Sequence, residues 1–247
     1  VNRSFADHFR SVSRGYASHR PTYPAALFDW LAQVAPACGL AWDCATGSGQ
    51  AAADLARHFA RVIATDASAA QIAQAEPHAR IEYRVAPAEH SGLEAHSVDL
   101  IVVAQALHWF DVDAFHAEAR RVLVPGGAIA EWCYEITVVD AGPIDALLLE
   151  VYHGALAPYW PPERAHIERG YRDLPFPFAA IEAPPFAMQM EWTLSQFTGY
   201  LRTWSATARY VAARGHDPIA ALEERLVPHW GDDARLVSWP LVLRVGR

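Results

Sequence analysis

Two carboxylates and two glycines stand at spacings that could grip a nucleoside. Asp43 lies four residues before Gly47 in the run Ala41-Trp42-Asp43-Cys44-Ala45-Thr46-Gly47-Ser48-Gly49-Gln50, and Asp66 closes the next apolar run, Val62-Ile63-Ala64-Thr65-Asp66. Paired glycines let a backbone turn tightly and approach a ligand closely. Gly47-x-Gly49-x-x-Ala52 also fits the alanine variant of the dinucleotide fingerprint. Asp43 separates the two chemistries. A pyrophosphate held against this turn would be repelled by an adjacent carboxylate. A nucleoside carrying a sulfonium and an ammonium, such as S-adenosylmethionine, would be attracted by a charge-assisted hydrogen bond worth roughly 1.5–3 kcal/mol. Asp66 can accept both ribose hydroxyls and so fits either nucleoside. The bland alternatives are a tight turn without a ligand and, for Asp66, a helix cap.

These residues need a scaffold that brings strand ends together. Residues 41–44 form a short apolar run before the glycine turn, and Ala52, Leu55, Ala56 and Phe59 follow at helical spacing. Strands are expected at 62–66, 81–85, 98–104 and 128–133, with helices at 69–75 and 112–122. The run 98–104 reads as a strand buried on both faces. Asp111 is the expected cap of the 112–122 helix, and Pro125-Gly126-Gly127 ends it. Strands alternating with helices through short connections imply a doubly wound parallel α/β sheet. The rhythm then breaks. Helical patterns cover 143–159, 194–213 and 217–230, a proline-rich irregular stretch covers 161–185, and strands are expected at 186–192 and 235–245.

The 247 residues, 52% hydrophobic and 19% charged, suffice for one large domain. A formal net charge of −8 argues against binding a phosphate backbone, so nucleic acid is not the expected partner. No apolar run is long enough to span a bilayer, and the polar start is unlike a signal peptide, so no membrane partner and a cytoplasmic location are expected. Cys38, Cys44 and Cys133 are too few and too scattered for a disulfide framework, and no metal site is expected. Nine tryptophans, most in the second half, point to an aromatic-lined cavity or to plain core packing.

Further motifs make the chain resemble a known family. Beside Asp43-x-x-x-Gly47-x-Gly49 and Asp66 stand Ala88-Glu89, Ser97-Val98-Asp99-Leu100-Ile101, Ala104-Gln105-Ala106-Leu107-His108-Trp109-Phe110-Asp111 and Glu118-Ala119-Arg120-Arg121-Val122-Leu123-Val124-Pro125-Gly126-Gly127. With Tyr16-x-x-x-Arg20-Pro21-x-Tyr23-Pro24, Thr203-Trp204-Ser205 and Trp239-Pro240-Leu241, they resemble class I S-adenosylmethionine-dependent methyltransferases of the trans-aconitate-methyltransferase-like branch. The resemblance runs along nearly the whole chain. It implies a Rossmann-like, mostly parallel seven-stranded sheet in a single domain over 1–247. Within it would lie an N-terminal lid (1–30), a cofactor core (36–135), a helical insertion or cap (140–185) and C-terminal strands and helices (186–247). One departure is visible, because the family often carries another glycine near Cys44 or Ala45.

The resemblance also implies roles. Asp43, Cys44, Ala45, Thr46, Gly47 and Gly49 would hold the methionine end of S-adenosylmethionine, and Asp66 the ribose, with Ala67 beside it. Ala88 would meet the adenine through its N–H, and Glu89 would accept from the exocyclic amine. Gln105 and Ala106 would line the methionine side, with His108 and Trp109 between cofactor and substrate. Tyr16, Arg20 and Tyr23 would belong to the lid, Arg20 facing the cofactor carboxylate. Among aromatic residues, Tyr23, Trp132, Tyr134, Tyr159, Trp160 and Trp204 are the substrate candidates, joined by Arg202 or Arg209 for an acidic substrate. Methyl transfer asks the protein mainly for placement, and a base only where the acceptor must lose a proton. His108, which titrates near neutrality, is the candidate base. The expected function is methylation of a small molecule, carboxylic acids first among the acceptors, by a monomer or weak homodimer. A nicotinamide-dependent oxidoreductase and a non-catalytic nucleoside-binding module on the same fold are the rival readings.

Overall fold

The computed structural model describes residues 21–140 and 142–247. Its elements, in chain order, are α1 (Ala25–Val34), β1 (Leu40–Cys44), α2 (Gln50–Leu55), β2 (Arg61–Asp66), α3 (Ala69–Ile72), β3 (Ile81–Val85), β4 (Val98–Ala104), α4 (Val112–Val122) and β5 (Leu123–Tyr134). There follow α5 (Pro143–His153), α6 (Arg164–Glu168), β6 (Ala180–Ile181), β7 (Ala187–Trp192), α7 (Leu194–Arg202), α8 (Ser205–Arg214), α9 (Pro218–Trp230) and β8 (Arg235–Gly246). Single 3-10 turns lie at Leu107–Trp109 and Ala157–Tyr159.

The chain divides into two compact units. One comprises Tyr23–Glu135, Ala165–Phe186 and Leu241–Arg247, and the other includes Ile136–Arg164 and Ala187–Pro240. In the first, β1 to β5 are parallel and β8 returns antiparallel to β5. The strand order is β3-β2-β1-β4-β5-β8-β6. These seven strands form a continuous path, and an eighth, β7, pairs with the opening half of β8. β4 is made of β-branched and aliphatic residues and is covered on both faces. Val98 and Leu100 to Val103 are fully buried, each such side chain contributing roughly 1.5–3 kcal/mol. Its one acid, Asp99, accepts from the N–H groups of Gly39 and Leu40, both at 2.9 Å, and so anchors the start of β1.

Register brings the strand ends level. Asp43 pairs with Ala64 on one side and Val102 on the other, and Cys44 with Thr65 and Val103. Strand order reverses between β1 and β4, and open α/β sheets bind ligands beyond the carboxyl ends of strands at such a point. Asp111 caps α4 as expected, its carboxylate accepting from Ala114 N–H at 3.2 Å.

Three expectations need revision. Residues 25–30, the end of the stretch assigned to a lid, belong to α1, which buries Leu27, Phe28 and Leu31 in the sheet-bearing unit. Pro125-Gly126-Gly127 does not separate helix from strand. β5 starts directly after α4 at Leu123, and its register against β4 shifts across this stretch. The proline-rich stretch carries α6 and β6, and residues 165–186 belong to the sheet-bearing unit, not to a separate cap. Its chain is held by Arg244, which donates to the carbonyls of Tyr171 (2.7 Å) and Leu174 (2.8 Å). Arg244 also pairs with fully buried Glu131, whose other oxygen lies 2.6 Å from Nε2 of buried His116.

The second unit is largely helical. Thr193 and Gln196 form a capping box on α7, Asp217 caps α9 through Ile219 N–H, and proline opens both α5 and α9. Each device satisfies N–H groups that a helix start leaves unpaired, or begins with a residue that has none. Trp192, Tyr200 and Trp239 pack with ring centroids 5.1 to 5.4 Å apart, and Phe197 lies 5.0 Å from Trp230.

Candidate active site

The glycine turn leaves β1 through a left-handed residue, Ala45, at φ +57°. Gln105, the first residue beyond β4, has the same φ. Each conformation costs an L-residue about 1–2 kcal/mol, and both border the switch point. Gly47 (φ +60°) donates its N–H to Asp66 Oδ2 at 3.0 Å, and Ser68 N–H donates to Asp66 Oδ1 at 2.8 Å. Asp66 therefore clasps the turn. A carboxylate has about four acceptor positions, so each oxygen keeps one more. Gly49 (φ +90°) precedes α2, and a Cβ there would lie 2.4 Å from the Tyr83 hydroxyl. Trp42 Nε1 donates to Thr65 Oγ1 at 2.9 Å, tying β1 to β2 beneath the turn.

Asp43 is completely buried, and Thr46 Oγ1 donates to its Oδ2. Its Oδ1 is buried without a hydrogen-bond partner among the described residues. Loss of solvent pushes its carboxyl from 3.8 up to about 7, against the lowering by the Thr46 hydroxyl and by the Ala52 N–H, and with a smaller push from Asp66. Burial also raises Asp66, and it raises the Cys44 thiol, to which the neighbouring Asp43 adds. A buried carboxylate oxygen left without a full hydrogen bond is costly, and a cation or an N–H donor is the chemistry that would relieve it.

The remaining expected residues distribute as follows. Tyr16 and Arg20 lie outside the described residues. Ala67 is exposed, and Ala88 and Ala106 are nearly buried. Glu89 Oε1 accepts from Asp111 N–H at 3.0 Å, so it helps to start α4. The Gln105 side-chain oxygen accepts from Tyr134 N–H at 2.9 Å. His108 sits on the 3-10 turn after β4, with Trp109 beside it at 4.8 Å between ring centroids. Nδ1 of His108 is 3.0 Å from the Tyr171 hydroxyl.

The substrate candidates fall into separate groups. Trp132 is fully buried, with Tyr23 edge-on at 5.4 Å and Phe28 at 6.4 Å; its position is that of a packing residue. Tyr23 is nearly as buried. In the other unit, Trp160 and Trp204 lie 5.4 Å apart, each packed on Tyr152, and Arg164 stacks over Trp160 at 4.9 Å. Tyr159 packs on Tyr210 and accepts from Arg214. Arg202 is already committed to Asp217 and Glu223, and Arg209 donates to the Tyr159 carbonyl. The first is therefore a helix-to-helix tie rather than a ready anion receptor. Sequence reasoning missed Tyr171 and Tyr83, which meet the site from distant stretches with no motif around them.

Comparison with known proteins places the chain among methyltransferases. A methyltransferase-domain family model matches residues 42–130, the segment from the glycine turn to β5. A Dictyostelium discoideum protein named as a methyltransferase is 32% identical over 226 residues, covering 90% of this chain and 86% of that one. A solved structure from Anaeromyxobacter dehalogenans, assigned as a type II methyltransferase, is 50% identical with a TM-score of 0.88, covering 92% of this chain and 97% of its own. A Bacillus halodurans structure shares the fold at 18% identity and a TM-score of 0.52, covering 90% of this chain and 98% of its own.

Proposed function

We propose, from the premise that the chain belongs to the class I methyltransferase family, that it methylates a small molecule with S-adenosylmethionine as donor. The observation that carries the reading is the unpartnered Oδ1 of buried Asp43 at the switch point of the sheet. That oxygen suits a cationic ligand and opposes a pyrophosphate, which disfavours a nicotinamide dinucleotide.

The residues present fit the cofactor. Asp43 would meet its cationic methionine end inside the turn of Ala45 to Gly49. Asp66 would accept from the ribose hydroxyls through the positions that Gly47 and Ser68 leave open. Ala88 N–H and the second oxygen of Glu89 would face the adenine, and Gln105, Ala106 and Trp109 the methionine side. S-adenosylmethionine, when bound, supplies an electrophilic methyl group on a sulfonium that is also the leaving group. The chain's own contribution is to hold the acceptor in line, to exclude water, and to fix the acceptor by His108. Carboxylic acids are the first acceptors to test, following the resemblance to the trans-aconitate branch.

The test is release of S-adenosylhomocysteine from a panel of small acids, phenols and amines. His108→Ala should retain cofactor affinity and lose turnover; unchanged turnover would remove His108 from the site. No product with any acceptor would favour a binding module on this fold.

A further inference from the structure

We propose that Tyr171 is a positioning residue for His108. Its phenol donates to Nδ1, so the neutral imidazole carries its proton on Nε2 and presents a hydrogen-bond donor, not a base. The inference rests on the placement of His108 in the site proposed above.

Three observations carry it. First, the Tyr171 hydroxyl is 3.0 Å from His108 Nδ1, and the two rings stack at 29° with centroids 6.1 Å apart. Second, Tyr171 is fully buried, and among the described residues His108 is the hydrogen-bond partner of its hydroxyl. A buried donor without an acceptor is rarer and costlier than an acceptor that is only partly used. Were the proton on Nδ1, the phenol hydrogen would have no acceptor. With the phenol as donor, only spare lone pairs go unused, and the neutral imidazole must place its hydrogen on Nε2. Burial also keeps the phenol protonated, pushing it well above its ordinary value.

Third, the backbone that delivers the phenol is held from outside its own segment. Gly170 and Tyr171 are consecutive left-handed residues, both at φ +58°. Val242 of β8 packs so close to Gly170 that a Cβ would lie 2.9 Å from its side chain. Arg244 holds the Tyr171 carbonyl and lies 5.8 Å from the ring centroid, while Glu131 of β5 holds Arg244. Two strands and a guanidinium thus fix one phenol against one imidazole. Such a His108 orients an acceptor that brings its own lone pair, which suits an anionic oxygen better than a neutral alcohol.

The experiment is nitrogen NMR of the full chain with 15N-labelled histidine at a pH where His108 is neutral, its signals assigned by their loss in His108→Gln. The expected result is the Nε2–H pattern in the wild type, relaxing to a mixture in Tyr171→Phe. An Nδ1–H pattern in the wild type would overturn the proposal, whether or not Tyr171→Phe folds. The spectrum does not depend on methyl transfer, so it stands apart from the functional reading. In turnover assays Tyr171→Phe should lower kcat by roughly 10- to 100-fold with the cofactor KM unchanged. If His108→Gln slows turnover and Tyr171→Phe does not, the positioning role fails while the site survives. If neither slows it, the placement of His108 fails.

Discussion

A carboxyl that titrates near neutrality in the folded chain and near 4 in the unfolded one makes folding less favourable as pH rises. Asp43 is such a group, pushed from 3.8 up to about 7 by burial. Between these values the unfolded chain gives up its proton first, so stability falls as pH climbs from about 4 to 7 and then levels off, a total on the order of a few kcal/mol by linkage. Asp43→Asn should therefore be more stable than the wild type at pH 8, with the gain vanishing near pH 4, as thermal unfolding at both pH values would show. It should also lose the cofactor, because an amide carries no charge for the cation. In the wild type a cationic ligand must find Asp43 ionised, so affinity should drop about tenfold per unit below pH 7. Flat affinity between pH 5.5 and 8 would mean that Asp43 does not face the ligand. Ala45 offers a second test. Its φ is +57°, a conformation that glycine adopts at little cost. Ala45→Gly should gain about 0.5–1 kcal/mol in urea denaturation, the left-handed cost removed less the added chain entropy.

Elements explain why those residues meet. β1, β2 and β4 end level, and Gly49 precedes α2 with the Tyr83 hydroxyl from β3 against its Cα. Gly49→Ala should therefore both strain φ, by about 1–2 kcal/mol, and displace Tyr83. The expected outcome is a lower melting temperature with weaker cofactor binding; normal values for both would show that the turn is looser than its geometry. The strands of the cofactor half were legible because buried parallel strands read as continuous apolar runs, and because the turn's carboxylates and glycines are neighbours in sequence. α1 was missed because its buried stripe, Leu27, Phe28 and Leu31, is short and follows a proline-rich start. The extent of β5 was missed because a strand that passes through Pro125-Gly126-Gly127 with a register shift looks, in sequence, like a helix stop.

At the scale of the whole molecule, residues far apart in sequence were the ones that could not be read. Tyr171 lies in a stretch with no periodicity, and its φ of +58° depends on Arg244 and Val242 near the end of the chain. Glu131, His116 and Arg244 form a buried hydrogen-bonded group drawn from three segments. Removing one partner of such a group strands the others, a loss of about 3–5 kcal/mol. Arg244→Met should cost that much in chemical denaturation and release the 165–178 segment to proteolysis; a loss under about 1 kcal/mol would mean that Glu131 is satisfied without it. The division into two units was legible only in part: the bounds near Glu135 and at Phe186 were read from the break in rhythm and the proline-rich stretch, whereas the return of 165–186 and of the chain after Pro240 to the sheet-bearing unit was not. The central claim is that Asp43 marks a site for a cationic nucleoside. Its most direct test is calorimetric titration of the intact chain at pH 8 with S-adenosylmethionine, S-adenosylhomocysteine, NAD and NADP. Micromolar binding of the first two, lost in Asp43→Ala, is the expected result; preference for either dinucleotide, or undiminished binding in the variant, would contradict it.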